Sequence, residues 1–83
     1  MKSVGGILYS IGPLFILRSK KVKIKDIGAD AYIGDKKIGK VIELFGPVEN
    51  PYVKIVSKRD LKDRKSFVGK DVSIRWVFEV FYG

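Results

Sequence analysis

The side chains that could do chemistry in this chain are few, and their types exclude most reactions. There is no histidine and no cysteine among the 83 residues. Disulfides, imidazole or thiolate metal ligation, and catalysis by an imidazole or a thiol are therefore ruled out. The nine carboxylates stand singly, most of them beside a lysine or arginine in turn-like sequence, where a solvated ion pair is the expected role. Acid–base work needs groups of shifted pKa held together. Only Glu43 and Glu79 fall inside strand-like sequence, and each is expected to face solvent or a basic partner across a sheet. One stretch imitates a phosphate-binding loop: Gly34-Asp35-Lys36-Lys37-Ile38-Gly39-Lys40 fits G-x-x-x-x-G-K. Valine stands at position 41, where a magnesium-holding serine or threonine belongs, and Val41-Ile42-Glu43-Leu44-Phe45 is β-branched and aromatic. A phosphate loop must open a helix whose first amides face the phosphates, so the context argues against nucleotide binding. No catalytic residue, cofactor or metal is expected, and the chain reads as a binding protein, not an enzyme.

Two other constellations suit binding. Arg18 to Lys25 holds five basic residues and no acid, and Ser57 to Lys65 holds five basic and two acidic, so the two stretches carry the whole net charge of +8. Arg18, Lys20, Lys21, Lys23 and Lys25 in the first, with Lys58, Arg59, Lys62, Arg64 and Lys65 in the second, are candidates to face RNA phosphates. The alternative is a pair of solvated loops kept soluble by charge. The second constellation is Phe45-Gly46-Pro47-Val48-Glu49-Asn50-Pro51-Tyr52, which interrupts two strand-forming runs, Ile38 to Phe45 and Tyr52 to Val56. Pro47 and Pro51 restrict their own φ and the residue before each, while Gly46 can take a φ that others resist. Such a loop is either a well-made turn or a stiff binding surface that loses little entropy on docking.

The elements that must position these residues are strands. One domain is expected over residues 1–83, with a compact core, because a chain this short buries only about 60 to 65% of its unfolded surface. Residues 1–17 carry one lysine and an apolar run, but Gly5, Gly6, Gly12 and Pro13 break it, and it falls short of the roughly 18 apolar residues of a membrane span. A signal peptide is rejected for want of a small-x-small cleavage site, no membrane partner is expected, and a cytoplasmic location is. Val4 to Ser10 and Leu14 to Ser19 fit two strands, with Gly5 and Gly6 marking either a bend or a loosened edge. Lys20 to Ile24 alternates charged and aliphatic residues, which predicts burial of Val22 and Ile24. Ala31 to Ile33 predicts a third strand, and Gly34 to Lys37 a turn into the long strand from Ile38. Ser57 to Lys65 holds Leu61 as its single apolar residue, so it is expected to lie exposed, with Asp60 and Arg64 paired at i and i+4 if a helical turn forms. From Val72 the pattern alternates again, Val72, Ile74, Trp76, Phe78, Val80 and Tyr82 on one face. Val77 to Gly83 would either close a barrel or offer an edge to another chain. Short alternating strands, Gly and Pro turns and no helical period predict an all-β fold, a six-stranded, mostly antiparallel closed β-barrel.

Gly39-Lys40-Val41, then Phe45-Gly46-Pro47-Val48 and Pro51-Tyr52-Val53, resemble the core of the glycine-arginine-rich (GAR) protein family, a subunit of box H/ACA ribonucleoproteins. The flanks Gly5 to Ser19 and Phe67 to Ile74 follow in the family's order, so the resemblance spans about Val4 to Ile74, with residues 75–83 as a C-terminal strand extension. It implies a barrel similar to those of translation factors and a non-catalytic role in the RNA-guided pseudouridine-synthase particle of rRNA processing. The docking residues it implies are Phe45, Gly46, Pro47, Val48, Pro51, Tyr52 and Val53, which would bind the catalytic domain of the synthase subunit. Guide and substrate RNA would be met only indirectly or weakly. Gly-Arg-rich tails are missing, as in the archaeal form of the family, and so is a lysine-rich C-terminal tail with the RNA contact it would make. A different class is a free RNA-binding barrel, in which the two basic stretches grip phosphates and Tyr32, Tyr52 or Trp76 stack bases.

Overall fold

The computed structural model describes residues 2–76. Six strands, β1 (Lys2–Ile11), β2 (Leu14–Arg18), β3 (Asp30–Ile33), β4 (Lys36–Phe45), β5 (Tyr52–Ser57) and β6 (Asp71–Arg75), form a closed barrel in the order β1-β2-β5-β4-β3-β6. Every neighbouring pair is antiparallel. Closure is complete without the residues after Trp76, because β6 pairs with both β1 and β3; the expected role of Val77 to Gly83 falls outside the described residues. Among the described residues the helical elements are two 3-10 turns, Ile24–Asp26 and Arg64–Phe67, and no helix is long and apolar enough to cross a membrane.

Period-two alternation puts Phe15 and Leu17, Val41, Val53 and Ile55, and Val72 and Ile74 into one interior with Val4, Ile7, Ala31 and Ile38. Each large aliphatic or aromatic side chain taken from water there stabilises the fold by about 1.5–3 kcal/mol. The two ten-residue strands bend by slipping register, β1 between Ser3 and Gly5 and between Ile7 and Tyr9, β4 between Val41 and Glu43. Bulges of this kind turn a strand around a small barrel. Gly5 lies in the first of them at φ 119, so it marks a bend.

The long connections decide what happens at the barrel mouths. In the ring, β2 and β3 stand three places apart whichever way one counts, and so do β5 and β6. Residues 19–29 must therefore cross one mouth and residues 58–70 the other. At the first mouth Val22, Asp26 and Ala29 are buried, and the Gly28 amide donates to the Val41 carbonyl at 2.7 Å while Val41 returns a bond to Ala29 at 2.9 Å. Val22 is buried as its alternation implies, but Ile24 is 79% exposed, because the chain enters a 3-10 turn there and the two-residue period ends. At the opposite mouth Leu61 is only 6% exposed and Phe67 meets Phe15 edge to face at 6.0 Å. The expectation of a wholly exposed loop fails here: a segment that crosses a mouth needs one apolar plug, not an apolar face. Asp60 does not pair with Arg64 either. It lies 4.0 Å from Lys58, and Arg64 donates to the Ser57 hydroxyl.

Asp26 is the one buried carboxylate among the described residues. The Lys2 ammonium lies 2.8 Å from Oδ2, and the Lys23 amide donates to the same oxygen at 2.9 Å. Burial pushes this carboxyl up, but the Lys2 hydrogen bond, the Lys23 amide and the charges of Lys2 and Lys25 together outweigh it and hold the group below the usual carboxylate range. A folded-state pKa below the unfolded one gives stability that is full above the ordinary carboxylate pKa of about 4 and is lost as pH falls through the folded value. Asp26→Asn is thus expected to cost about 1–2 kcal/mol at pH 7 and less at about pH 2. Denaturant unfolding of parent and variant at the two pH values measures this; an equal difference at both would contradict it.

Candidate docking surface

The β4–β5 hairpin brings Phe45 and Tyr52 directly opposite each other, and β2 places Arg18 on the other side of Tyr52. All three stand on the outer face, since the next row inward along the strands is Leu17, Val53 and Leu44. The Phe45 and Tyr52 rings stack at 5.2 Å and 20°. The Arg18 guanidinium sits 4.6 Å from the Tyr52 centroid. Lys54 reaches over Phe45 at 5.6 Å and closes an ion pair with Glu43 at 2.8 Å, the basic cross-strand partner expected for that carboxylate. Glu79 lies outside the described residues.

From this platform the chain turns at Gly46, whose φ of 86 favours glycine. A Cβ there would also stand 3.1 Å from the Tyr52 ring. Asn50 donates its amide to the Pro47 carbonyl at 3.2 Å, and Ser19 donates to Pro51 at 3.1 Å. Arg18 Nε donates to the Asn50 carbonyl at 3.0 Å. Two prolines, a stacked pair beneath and three hydrogen bonds to or within the loop leave it little freedom. Val48 stands at its tip, 94% exposed. A groove of about 580 Å³ opens beside it, walled by Val22, Ile24, Leu44, Phe45, Val48 and Pro51, with Lys23 and Lys25 also lining it. Its lining is largely apolar, and its volume lies within the range of small-molecule pockets.

The seven residues implied for docking thus divide. Phe45, Gly46, Pro47 and Val48 are exposed and Tyr52 is half-buried, whereas Pro51 and Val53 are buried. Val53 points into the barrel core with no exposed surface, so it fixes the hairpin and cannot touch a partner. Ile24 is the surface residue that sequence reasoning assigned to the interior; the Asp26 side chain folding back onto the Lys23 amide is the local sign of the turn that exposes it.

The ten basic candidates are not brought together. Arg18, Lys20, Lys21, Lys23 and Lys25 flank the loop at one mouth, with a polar cleft lined by Arg18, Lys20 and Lys21 alongside Ser3, Ser19 and Asn50. Lys58, Arg59, Lys62, Arg64 and Lys65 belong to the connection across the opposite mouth. Base-stacking platforms are also fewer than expected. Tyr32 is buried, with the Arg75 guanidinium 3.8 Å from its centroid, and Tyr52 is held between Phe45 and Arg18. Trp76 lies over Gly28. Among the described residues no group of three or more acidic side chains gathers to hold a metal ion.

No family model matches the chain. An uncharacterized protein of Methanocaldococcus jannaschii is 44% identical over 50 residues, which is 60% of this chain and 60% of that protein. An uncharacterized protein of Methanothermobacter thermautotrophicus is 37% identical over 67 residues, 78% of this chain and 71% of its own length.

Proposed function

This chain belongs to the family of the uncharacterized Methanothermobacter thermautotrophicus protein; we propose that it is a non-catalytic barrel subunit of a box H/ACA RNA-guided pseudouridine-synthase particle, serving rRNA pseudouridylation and ribosome biogenesis in the cytoplasm. The observation that carries the reading is the braced hairpin loop, which holds Val48 out at its tip above the Phe45–Tyr52 stack. An apolar tip on a stiff, aromatic-backed loop supplies the anchor that a small interface needs, and a loop already ordered loses little entropy on docking. The partner is the catalytic domain of the synthase subunit. The residues that meet it are Phe45, Gly46, Pro47, Val48 and Tyr52, with Pro51 and Val53 supporting them from below. RNA is met weakly or indirectly, because the basic residues are split between the two mouths and the Tyr32 and Tyr52 rings are already engaged by neighbours.

A subunit that brings no acid, base or nucleophile alters its partner by favouring one conformation of it. The element favoured here is the open form of a synthase loop that closes over substrate RNA, so loading and release speed up while the chemical step hardly changes. Pseudouridine formation with the particle in excess, and then with substrate RNA in excess, tests this with and without the protein. Strong stimulation is expected only under substrate excess. Equal stimulation in both regimes would place the effect on the catalytic step and overturn the proposal.

A further inference from the structure

We propose that the mouth crossed by residues 19–29 holds the phosphodiester backbone of a single nucleic-acid strand in the polar cleft beside Asn50, and that the opposite mouth holds none. The cleft, of about 410 Å³, is lined by Arg18, Lys20 and Lys21 with Ser3, Ser19 and Asn50, and among the described residues no acidic or aromatic side chain lines it. Three cations around one concavity attract successive phosphates, and the hydroxyls and the side-chain amide can hydrogen-bond phosphate oxygens. With no ring to stack a base, the cleft meets backbone and not sequence.

The three cations are exposed, and their own chain does not neutralise them. Among the described residues Lys20 and Lys21 close no ion pair. Arg18 directs its Nε to the Asn50 carbonyl at 3.0 Å and one face to the Tyr52 ring, which fixes the guanidinium and leaves its terminal nitrogens to a ligand. The segment itself is fixed as well. The Lys21 amide donates to the Ser19 hydroxyl at 3.1 Å, and the Lys2 ammonium donates to the Lys21 carbonyl at 2.7 Å. That ammonium also pairs with Asp26 at 2.8 Å, so the acid that follows this stretch is buried and answered. A cleft held in shape beforehand loses less entropy on binding. The opposite mouth has as many cations but a different balance. Asp60 and Asp63 interrupt it, Lys58 lies 4.0 Å from Asp60, and Arg64 turns onto the Ser57 hydroxyl and the Lys58 carbonyl.

The contact goes beyond the synthase reading and does not rest on it, since the test needs only the isolated full chain. An oligouridine of about ten nucleotides is titrated into the nitrogen-15-labelled protein at about 50 and 200 mM salt. Amide shifts are expected at residues 18–21 and at Asn50, and not at residues 58–65. At a salt slope of about 0.7 per phosphate on a single strand, three contacts predict roughly a twenty-fold loss of affinity between the two salts. Lys20→Ala/Lys21→Ala removes two exposed side chains without disturbing the barrel, and should weaken binding and cut that loss to roughly three-fold. Lys58→Ala/Arg59→Ala should keep the parent's affinity and slope. Oligothymidine of the same length should bind alike, and a marked preference for either strand would overturn backbone recognition. Shifts at both mouths, or equal weakening by the two double variants, would reduce the effect to net charge and overturn the proposal. Inorganic phosphate at matching phosphate concentration would overturn it too if it produced the same shifts, because the cleft would then be a site for a small anion.

Discussion

Gly39→Ala is expected to strip the barrel of most of its stability. Gly39 lies opposite Ser57 where β4 and β5 pair, and the strands approach so closely that a Cβ would stand 2.0 Å from the Val56 carbonyl oxygen and 2.9 Å from its carbon. The obstructing atoms are backbone, so no side chain can swing aside, and the hairpin would have to part. Overpacking against backbone belongs to the rare class of substitutions costing more than about 4 kcal/mol. Total stability in a domain of this size is on the order of 5 kcal/mol, so about 1 kcal/mol or less would remain and the variant would melt far below the parent. Lys40→Ala, next along the strand and exposed, is expected to stay within about 0.5 kcal/mol of the parent. Circular dichroism and thermal melts of both variants check this, and a Gly39→Ala chain melting near the parent would contradict the pairing. The contrast also explains the imitation phosphate loop. Its second glycine is required by the approach of two strands, and its lysine points to solvent.

The second large effect is on binding alone. Val48 touches so little of its own protein that Val48→Asp should leave the melting temperature within the range of a neutral surface change. At the centre of a docking surface the same carboxylate would be taken from water without a partner. Binding to the synthase subunit is expected to weaken by about 2 kcal/mol, roughly thirty-fold. Calorimetric titration gives the number. Unchanged affinity would reduce the loop to a turn.

The strands and the barrel were legible in the sequence because alternation is a local signal: Val72 and Ile74, or Val53 and Ile55, declare their inward face to any reader of period two. What the pattern does not contain is the order of strands around the ring. That order sends residues 19–29 and 58–70 across the two mouths, and three departures follow from it. Leu61 becomes a plug instead of a stray apolar residue in a charged loop. Ile24 emerges into solvent because a 3-10 turn replaces the strand that its spacing implies. The two basic stretches, alike in composition, end on opposite mouths. The loop 46–51 was legible as a stiff turn in Gly46, Pro47 and Pro51, whose backbone preferences act locally. The division of labour within it was not, since burial of Pro51 and Val53 depends on Ser19 and Leu17 from β2 and its exit, more than thirty residues away.

The most direct measurement is titration of the full chain into an archaeal box H/ACA synthase catalytic subunit with no RNA present, at about 50 and 200 mM salt. An apolar, loop-borne interface predicts a one-to-one complex whose affinity changes little between the two salts and falls about thirty-fold in Val48→Asp. No binding without RNA, or an affinity that collapses by orders of magnitude at the higher salt, would contradict docking through this loop and point instead to a barrel that grips phosphates.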